Sequence, residues 1–274
     1  MNSRVRNLIS NKYGEFAASN AYQKLKNIKL IRSLKTKTAR AVWRIFPAKY
    51  RLHDDPILHK AFFSVVSIMQ ATSIVETGTF MGYSTSLMAE KFPNIPIHTC
   101  EINKRHYLIA KRNLKKYSNV TVYYGESPKI MKNLIKENKL GDRPFFFLDA
   151  HWLDNWPLED EMRLITSLLK KAVIIIDDFK IPNRPEFVYD KYGAKECSLE
   201  LIGPHMQKKN SYKMFLPDYG RDIFRNSSYH PVLSGYPVIF QNMDGEHITF
   251  SKEKFVKDFL KDETALLLRN IRNK

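Results

Sequence analysis

The sequence predicts an α/β protein of the doubly wound, Rossmann-like kind, with seven strands in a mostly parallel sheet and a basic helical extension in front of it. Three observations carry this expectation. From residue 53 onward, short β-branched or aromatic runs alternate with segments of helical period. Each of the first five runs ends on an acidic residue or is followed by one. The first run also leads into a glycine-containing turn, ETGTFMGYSTS (76–86), just ahead of a helix.

In chain order, HDDPILHKAFFSVVSIMQ (53–70) reads as a helix and ATSIVE (71–76) as the first strand. Helix STSLMAEKF (84–92), strand IPIHTCE (95–101), helix NKRHYLIAKRNLKKY (103–117) and strand NVTVYYG (119–125) follow. Next come helix SPKIMKNLIKEN (127–138), strand RPFFFLD (143–149), helix LEDEMRLITSLL (158–169) and strand AVIIID (172–177). Five strands joined by four helices imply parallel pairing, because each crossover returns the chain to the same edge. Beyond them, YKMFLP (212–217) and GYPVIFQ (235–241) read as strands six and seven, and residues 253–272 as one amphipathic C-terminal helix.

The formal net charge of +17 is unevenly spread: residues 1–50 hold twelve Lys or Arg against the single acid Glu15. Apolar residues from Leu25 to Ile45 fall near helical spacing among these cations, which describes a basic amphipathic helix. It has three readings: a solvated helix packed on the domain, adsorption to an anionic membrane surface, and contact with nucleic acid. Nucleic acid is the least favoured, since no recognition motif accompanies the charge. Cys100 and Cys197 are far apart and match no metal or disulfide spacing, as in a reducing compartment. No apolar run approaches the roughly 20 residues of a membrane span. A cytoplasmic protein is expected, with peripheral attachment to the inner membrane surface through residues 1–50 left open.

In open parallel sheets ligands gather outside the carboxyl ends of the strands. Those ends carry Glu76, Glu101, Gly125 with Glu126, Asp149, and Asp177 with Asp178. One such acid is commonly a cap, but five on one rim would repel one another with nothing gained unless the rim binds something. Gly78 suits a tight turn and Gly82 a close backbone approach. Glu101, about 25 residues on, stands where an acid accepts from ribose hydroxyls. The turn lacks both the P-loop ending and the G-x-G-x-x-G pattern. A nucleoside-containing cofactor is the resulting expectation.

The 76–86 turn resembles the first motif of class I S-adenosylmethionine-dependent methyltransferases. Its Gly-Tyr-Ser variant is similar to that of the catechol, caffeoyl-CoA and macrocin O-methyltransferases, a likeness that covers roughly residues 53–180. The resemblance implies that Glu76, Gly78, Tyr83 and Ser84 surround the methionine part of the cofactor and that Glu101 holds the ribose. It places Gly125, Glu126 and Ser127 beside the adenine. Asp149 is also expected to contact the cofactor, and Trp152 to form a wall against adenine or substrate. It also implies that Asp149, Asp177 and Asp178 hold a divalent cation, which oxygen chemistry suggests is Mg²⁺. Such an ion would activate an acceptor hydroxyl, leaving a base to take its proton. His151, two residues past Asp149, is the candidate base; stacking on the adenine or plain packing is its other reading.

Residues 1–50 are thus expected to form an extension and 51–274 a methyltransferase domain, with 181–211 as a cover over the substrate. The expected acceptor is a hydroxyl of a small molecule or sugar-bearing intermediate, and a homodimer is compatible with all of this. Two alternatives stay open: a nucleic-acid methyltransferase that uses the basic extension, and a non-methylating, hydroxylase-like or binding relative of the same fold.

Overall fold

The computed structural model describes residues 51–151, 156–224 and 233–272. The basic extension and Trp152 lie outside the described residues. Five parallel strands form the centre of the sheet: β1 (Ser73–Thr77), β2 (Ile97–Glu101), β3 (Val120–Tyr124), β4 (Pro144–Leu148) and β5 (Ala172–Ile176). A two-stranded hairpin, β6 (Lys191–Tyr192) with β7 (Lys195–Glu196), interrupts the predicted cover segment. Strands β8 (Tyr212–Pro217) and β9 (Val238–Gln241) then join the main sheet antiparallel, giving the order β10-β8-β9-β5-β4-β1-β2-β3. Strand order reverses between β1 and β4, so a crevice for ligands opens above those two tips.

The predicted seven strands are all present, and β10 (Leu260–Asp262) adds an eighth at the edge. It lies inside the segment expected to be one helix, residues 253–272. That segment is instead two helices, Lys254–Phe259 and Thr264–Arg272, with β10 paired to β8 between them. Local periodicity lost to one tertiary effect and one local one. Leu260 buries against the sheet edge. The Asp262 carboxylate accepts from Thr264 N at 2.9 Å and restarts the helix one turn later. A helix at Asp244–Lys252 also precedes it, where none was expected.

Every residue of β1, β2, β4 and β5 is buried, as strands covered on both faces require, whereas β3 is a partly exposed edge. Helix α1 (Pro56–Ile68) covers one face. Asp55 caps it, accepting from Ile57 N at 2.8 Å and Leu58 N at 3.3 Å, and Pro56 occupies the first turn, where no amide hydrogen is needed. From α1, Phe62 packs edge-on against Phe145 and Phe147 of β4, with ring centroids 4.6 and 5.8 Å apart. All three rings are fully buried. Phe145→Ala is therefore expected to lower the unfolding free energy by about 3–5 kcal/mol, read as a reduced denaturant midpoint. A loss below about 1 kcal/mol would mean that the site collapses around the gap. Among the described residues, no helix is long and apolar enough to cross a membrane.

Candidate active site

The β1 tip is built from hydroxyls. Glu76 is completely buried; its Oε1 accepts from Ser84, and its Oε2 from Thr85 and from Thr99, the last at 2.6 Å. Thr79 in turn lies 2.6 Å from Thr99. Burial raises the proton affinity of Glu76 and these hydroxyl bonds oppose the rise. Glu76 therefore ties β1, β2 and the start of helix α2 (Tyr83–Lys91) together from below the surface of the cleft.

Between them runs the glycine turn. Gly78 has φ +86°, and a Cβ there would stand 2.2 Å from the Asp149 carbonyl oxygen. Only a residue without a side chain lets the β1 and β4 tips come this close. Gly82, at φ +81°, precedes the first residue of α2, and a Cβ on it would meet the Leu114 side chain at 2.8 Å. Tyr83, half-buried, directs its hydroxyl to Met81 Sδ at 3.8 Å.

At the β2 tip, Glu101 Oε2 accepts from Phe80 N at 2.8 Å and Oε1 from Asn103 N at 2.7 Å. Two backbone donors orient the carboxylate across the turn, and each oxygen keeps a lone pair for another donor. At the β3 tip, Gly125 N donates to Glu101 O at 3.0 Å. Glu126 is exposed and pairs with Lys129 at 3.0 Å, while Ser127 is buried and donates to Glu161. Of the residues expected near the adenine, Glu126 thus faces solvent and Ser127 points inward.

Glu161 was not anticipated, although LEDEMRLI places it in line with Leu158, Met162 and Ile165 on the apolar face of the helix Leu158–Leu168. It is fully buried, and burial raises its proton affinity above the ordinary 4.5, against hydrogen bonds from Ser127 and Thr77 and the nearby His151. An acid raised in the fold contributes stability that is complete below its ordinary value and is lost as pH climbs through the raised one. Glu161→Gln keeps the shape without the charge. The melting temperature of the native chain should therefore fall relative to that of the variant as pH rises above 4.5. Parallel curves would refute the assignment.

The β4 and β5 tips bring the remaining acids together. Asp177 is buried and Asp178, at φ +47°, is half-buried. Ser234 donates to Asp178 Oδ1 at 2.7 Å, and Asp190 N donates to the Asp178 carbonyl at 2.8 Å. Half-buried Asp149 has its carboxyl driven well above the usual range, first by burial and then by Asp177, Asp178 and Asp190. Such a cluster fits a cation, which would remove the repulsion. Among the described residues, however, the three whose donor atoms all lie within 4.8 Å of one another are His53, Asp177 and Asp178. The structure places Asp149 beside this trio rather than in it.

His53 came from no reading of the sequence, and no local pattern marks it. Its Nε2 is 2.7 Å from Asp177 Oδ2 across 124 residues of chain. Burial alone would lower its pKa, but the charges of Asp177, Asp178 and Asp55 outweigh burial and raise it to about 9. His151 is placed differently from the expected base. It is 1% exposed, and its Nε2 donates to the Asp177 backbone carbonyl at 2.9 Å. Its Nδ1 is buried without a hydrogen-bond partner among the described residues.

Residues 27–181 match the family model described as O-methyltransferase. Over 120 residues the chain is 30% identical to a catechol O-methyltransferase of Niastella koreensis, which covers 42% of this chain and 52% of that protein. Over 93 residues it is 33% identical to the ribosomal RNA small subunit methyltransferase A of Syntrophus aciditrophicus, covering 31% of this chain and 32% of that protein. The chain thus spans about half the length of the first relative and a third of the second. Among solved structures, it is similar to an O-methyltransferase from Bacillus cereus in complex with SAH, with TM-score 0.48 and 21% identity over 75% of this chain and 90% of that one. An O-methyltransferase from Streptomyces achromogenes in complex with SAM has TM-score 0.43 and 17% identity over 71% and 86%.

Proposed function

The chain belongs to the O-methyltransferase family, matched over residues 27–181, and from that premise we propose that it moves the methyl group of S-adenosylmethionine to a hydroxyl of a small molecule or sugar-bearing intermediate. The observation that carries this reading is the Glu101 carboxylate, fixed by Phe80 N and Asn103 N at the edge of the Gly78–Gly82 turn. That arrangement suits a nucleoside whose ribose hydroxyls donate to Glu101 while the rest of the cofactor crosses the β1 tip. Gly78 keeps the crossing open. Glu76, sealed beneath it, serves by holding Ser84 and Thr85 in position.

In the transfer, the acceptor oxygen forms a bond to the methyl carbon as the carbon–sulfur bond breaks, its electrons staying on sulfur, and the hydroxyl proton passes to water. Asp177 and Asp178 would hold a divalent cation, with Asp149 beside them; when bound, it supplies Lewis acidity that lowers the pKa of the hydroxyl. His151 is better suited to positioning than to proton transfer, since its Nε2 holds the Asp177 backbone and its Nδ1 is buried. We place the acceptor beneath residues 181–211. Asp190 there is tied to Asp178, and Tyr192 lies against Trp156, with ring centroids 6.0 Å apart.

Calorimetric titration of the whole chain with S-adenosylmethionine, followed by assay for S-adenosylhomocysteine with catechols and glycosylated acceptors, tests the reading. Absence of cofactor binding would end it. For the cation, EDTA should slow turnover by at least about tenfold, and added divalent ions should restore it in the native chain but not in Asp177→Asn. Rates indifferent to EDTA would remove the metal from the mechanism. Nucleic-acid methylation is a second reading, supported by the twelve cations in residues 1–50 and by the local likeness to a ribosomal RNA methyltransferase. Small-acceptor activity that survives deletion of residues 1–50 would count against it.

A further inference from the structure

We infer that His53 is a nitrogen ligand to the cation site at the β5 tip, and that the site therefore takes a first-row transition ion in preference to Mg²⁺. The inference rests on the metal-assisted reading above and goes beyond it in naming the third ligand and the ion class.

Geometry comes first. Neighbouring ligands about 2.1 Å from one ion stand about 3 Å apart, and opposite ones about 4 Å. A ring nitrogen of His53 and one oxygen each of Asp177 and Asp178 all lie within 4.8 Å of one another, and His53 Nε2 is already 2.7 Å from Asp177 Oδ2. When the proton shared by His53 and Asp177 leaves, this pair opens slightly and the three atoms can surround one ion.

The backbone that brings His53 there is held in place from several sides. Leu52 and His53 sit at φ +50° and +57°, left-handed conformations that cost a side chain about 1–2 kcal/mol each. Buried Leu52 anchors the turn, and Asp55 N donates to the Leu52 carbonyl at 3.1 Å. The Asp55 side chain caps α1 and accepts from Tyr219 at 2.6 Å. On the other side, Ser234 orients Asp178 at 2.7 Å. Ligands braced by outer hydrogen bonds are what a metal centre requires.

The donor set then selects the ion. Mg²⁺ favours oxygen ligands and retains its water, whereas imidazole nitrogen suits Fe²⁺, Ni²⁺, Cu²⁺ or Zn²⁺; Mn²⁺, the weakest binder of the first-row series, serves as the paramagnetic probe of the site. One nitrogen and two carboxylates also leave positions free for water and an acceptor oxygen.

The test uses the full chain, stripped with EDTA and dialysed, then titrated by calorimetry with Mn²⁺ or Mg²⁺ alone. Pulsed EPR of the Mn²⁺ form reports any coupling to histidine nitrogen. The native chain should bind Mn²⁺ at least about tenfold more tightly than Mg²⁺ and show the nitrogen coupling. His53→Asn, a residue that tolerates left-handed backbone, should lose the coupling and at least about tenfold in Mn²⁺ affinity. His53→Asp, an all-oxygen set, should shift the preference towards Mg²⁺. Melting curves establish that both variants fold. Native Mn²⁺ affinity retained in His53→Asn, or no nitrogen coupling in the native chain, overturns the inference; if Mg²⁺ still binds through Asp177, the metal-assisted reading survives it. A chain that binds neither ion overturns both.

Discussion

Gly78→Ala is expected to destabilise the fold by about 2–5 kcal/mol and to remove cofactor binding altogether. Two costs add at this position. A side chain at φ +86° is disfavoured wherever it occurs, and its Cβ would also sit 2.2 Å from the Asp149 carbonyl oxygen. That neighbour is backbone in the centre of the sheet, so it cannot turn aside; the β1 and β4 tips must separate, and the crevice between them changes shape. Gly193 separates the two costs. It has φ +64° in the hairpin turn but nothing within 4 Å of a Cβ. Gly193→Ala should therefore cost only the conformational part, about 1–2 kcal/mol, and leave cofactor affinity intact. Denaturant unfolding and calorimetry on both variants check the pair. Equal losses would show that steric approach to Asp149 is not what keeps Gly78 a glycine.

Glu101→Gln should weaken S-adenosylmethionine binding by about 10–100-fold, equivalent to about 1.5–3 kcal/mol for hydrogen bonds to a charged group. The carboxylate receives Phe80 N and Asn103 N on opposite oxygens. An amide can accept through only one of its two heads, so its NH₂ would confront a backbone donor and the loop would shift. The same substitution at the exposed Glu126, which pairs with Lys129 on the surface, should change affinity by less than about threefold, the scale of a solvent-screened pair. Isothermal titration with S-adenosylmethionine and S-adenosylhomocysteine decides the matter. Equal effects at the two positions would mean that Glu101 does not touch the ribose.

The contrast between these acids shows what a linear chain can reveal. Glu76, Glu101, Asp149, Asp177 and Asp178 were legible because each closes an apolar run, and parallel strands carry all such endings to one rim. What each side chain does there was less legible. Glu76 turned inward onto three hydroxyls, Glu126 turned outward to a lysine, and His151 engaged a backbone carbonyl. Glu161 could have been found, since it interrupts an apolar helical stripe.

The strands, their parallel order and the acidic rim were thus determined by the sequence itself, because alternation of apolar runs with helical periods is a local property that every doubly wound chain must display. Tertiary structure alone decided the rest. The C-terminal segment reads as one helix until the edge of β8 offers backbone partners to Leu260–Asp262, and those partners outweigh helical propensity. His53 joins Asp177 across 124 residues, through a left-handed turn that Leu52, Asp55 and Tyr219 hold in place. No periodicity encodes such a meeting, because it depends on where two distant elements pack and not on what either one is.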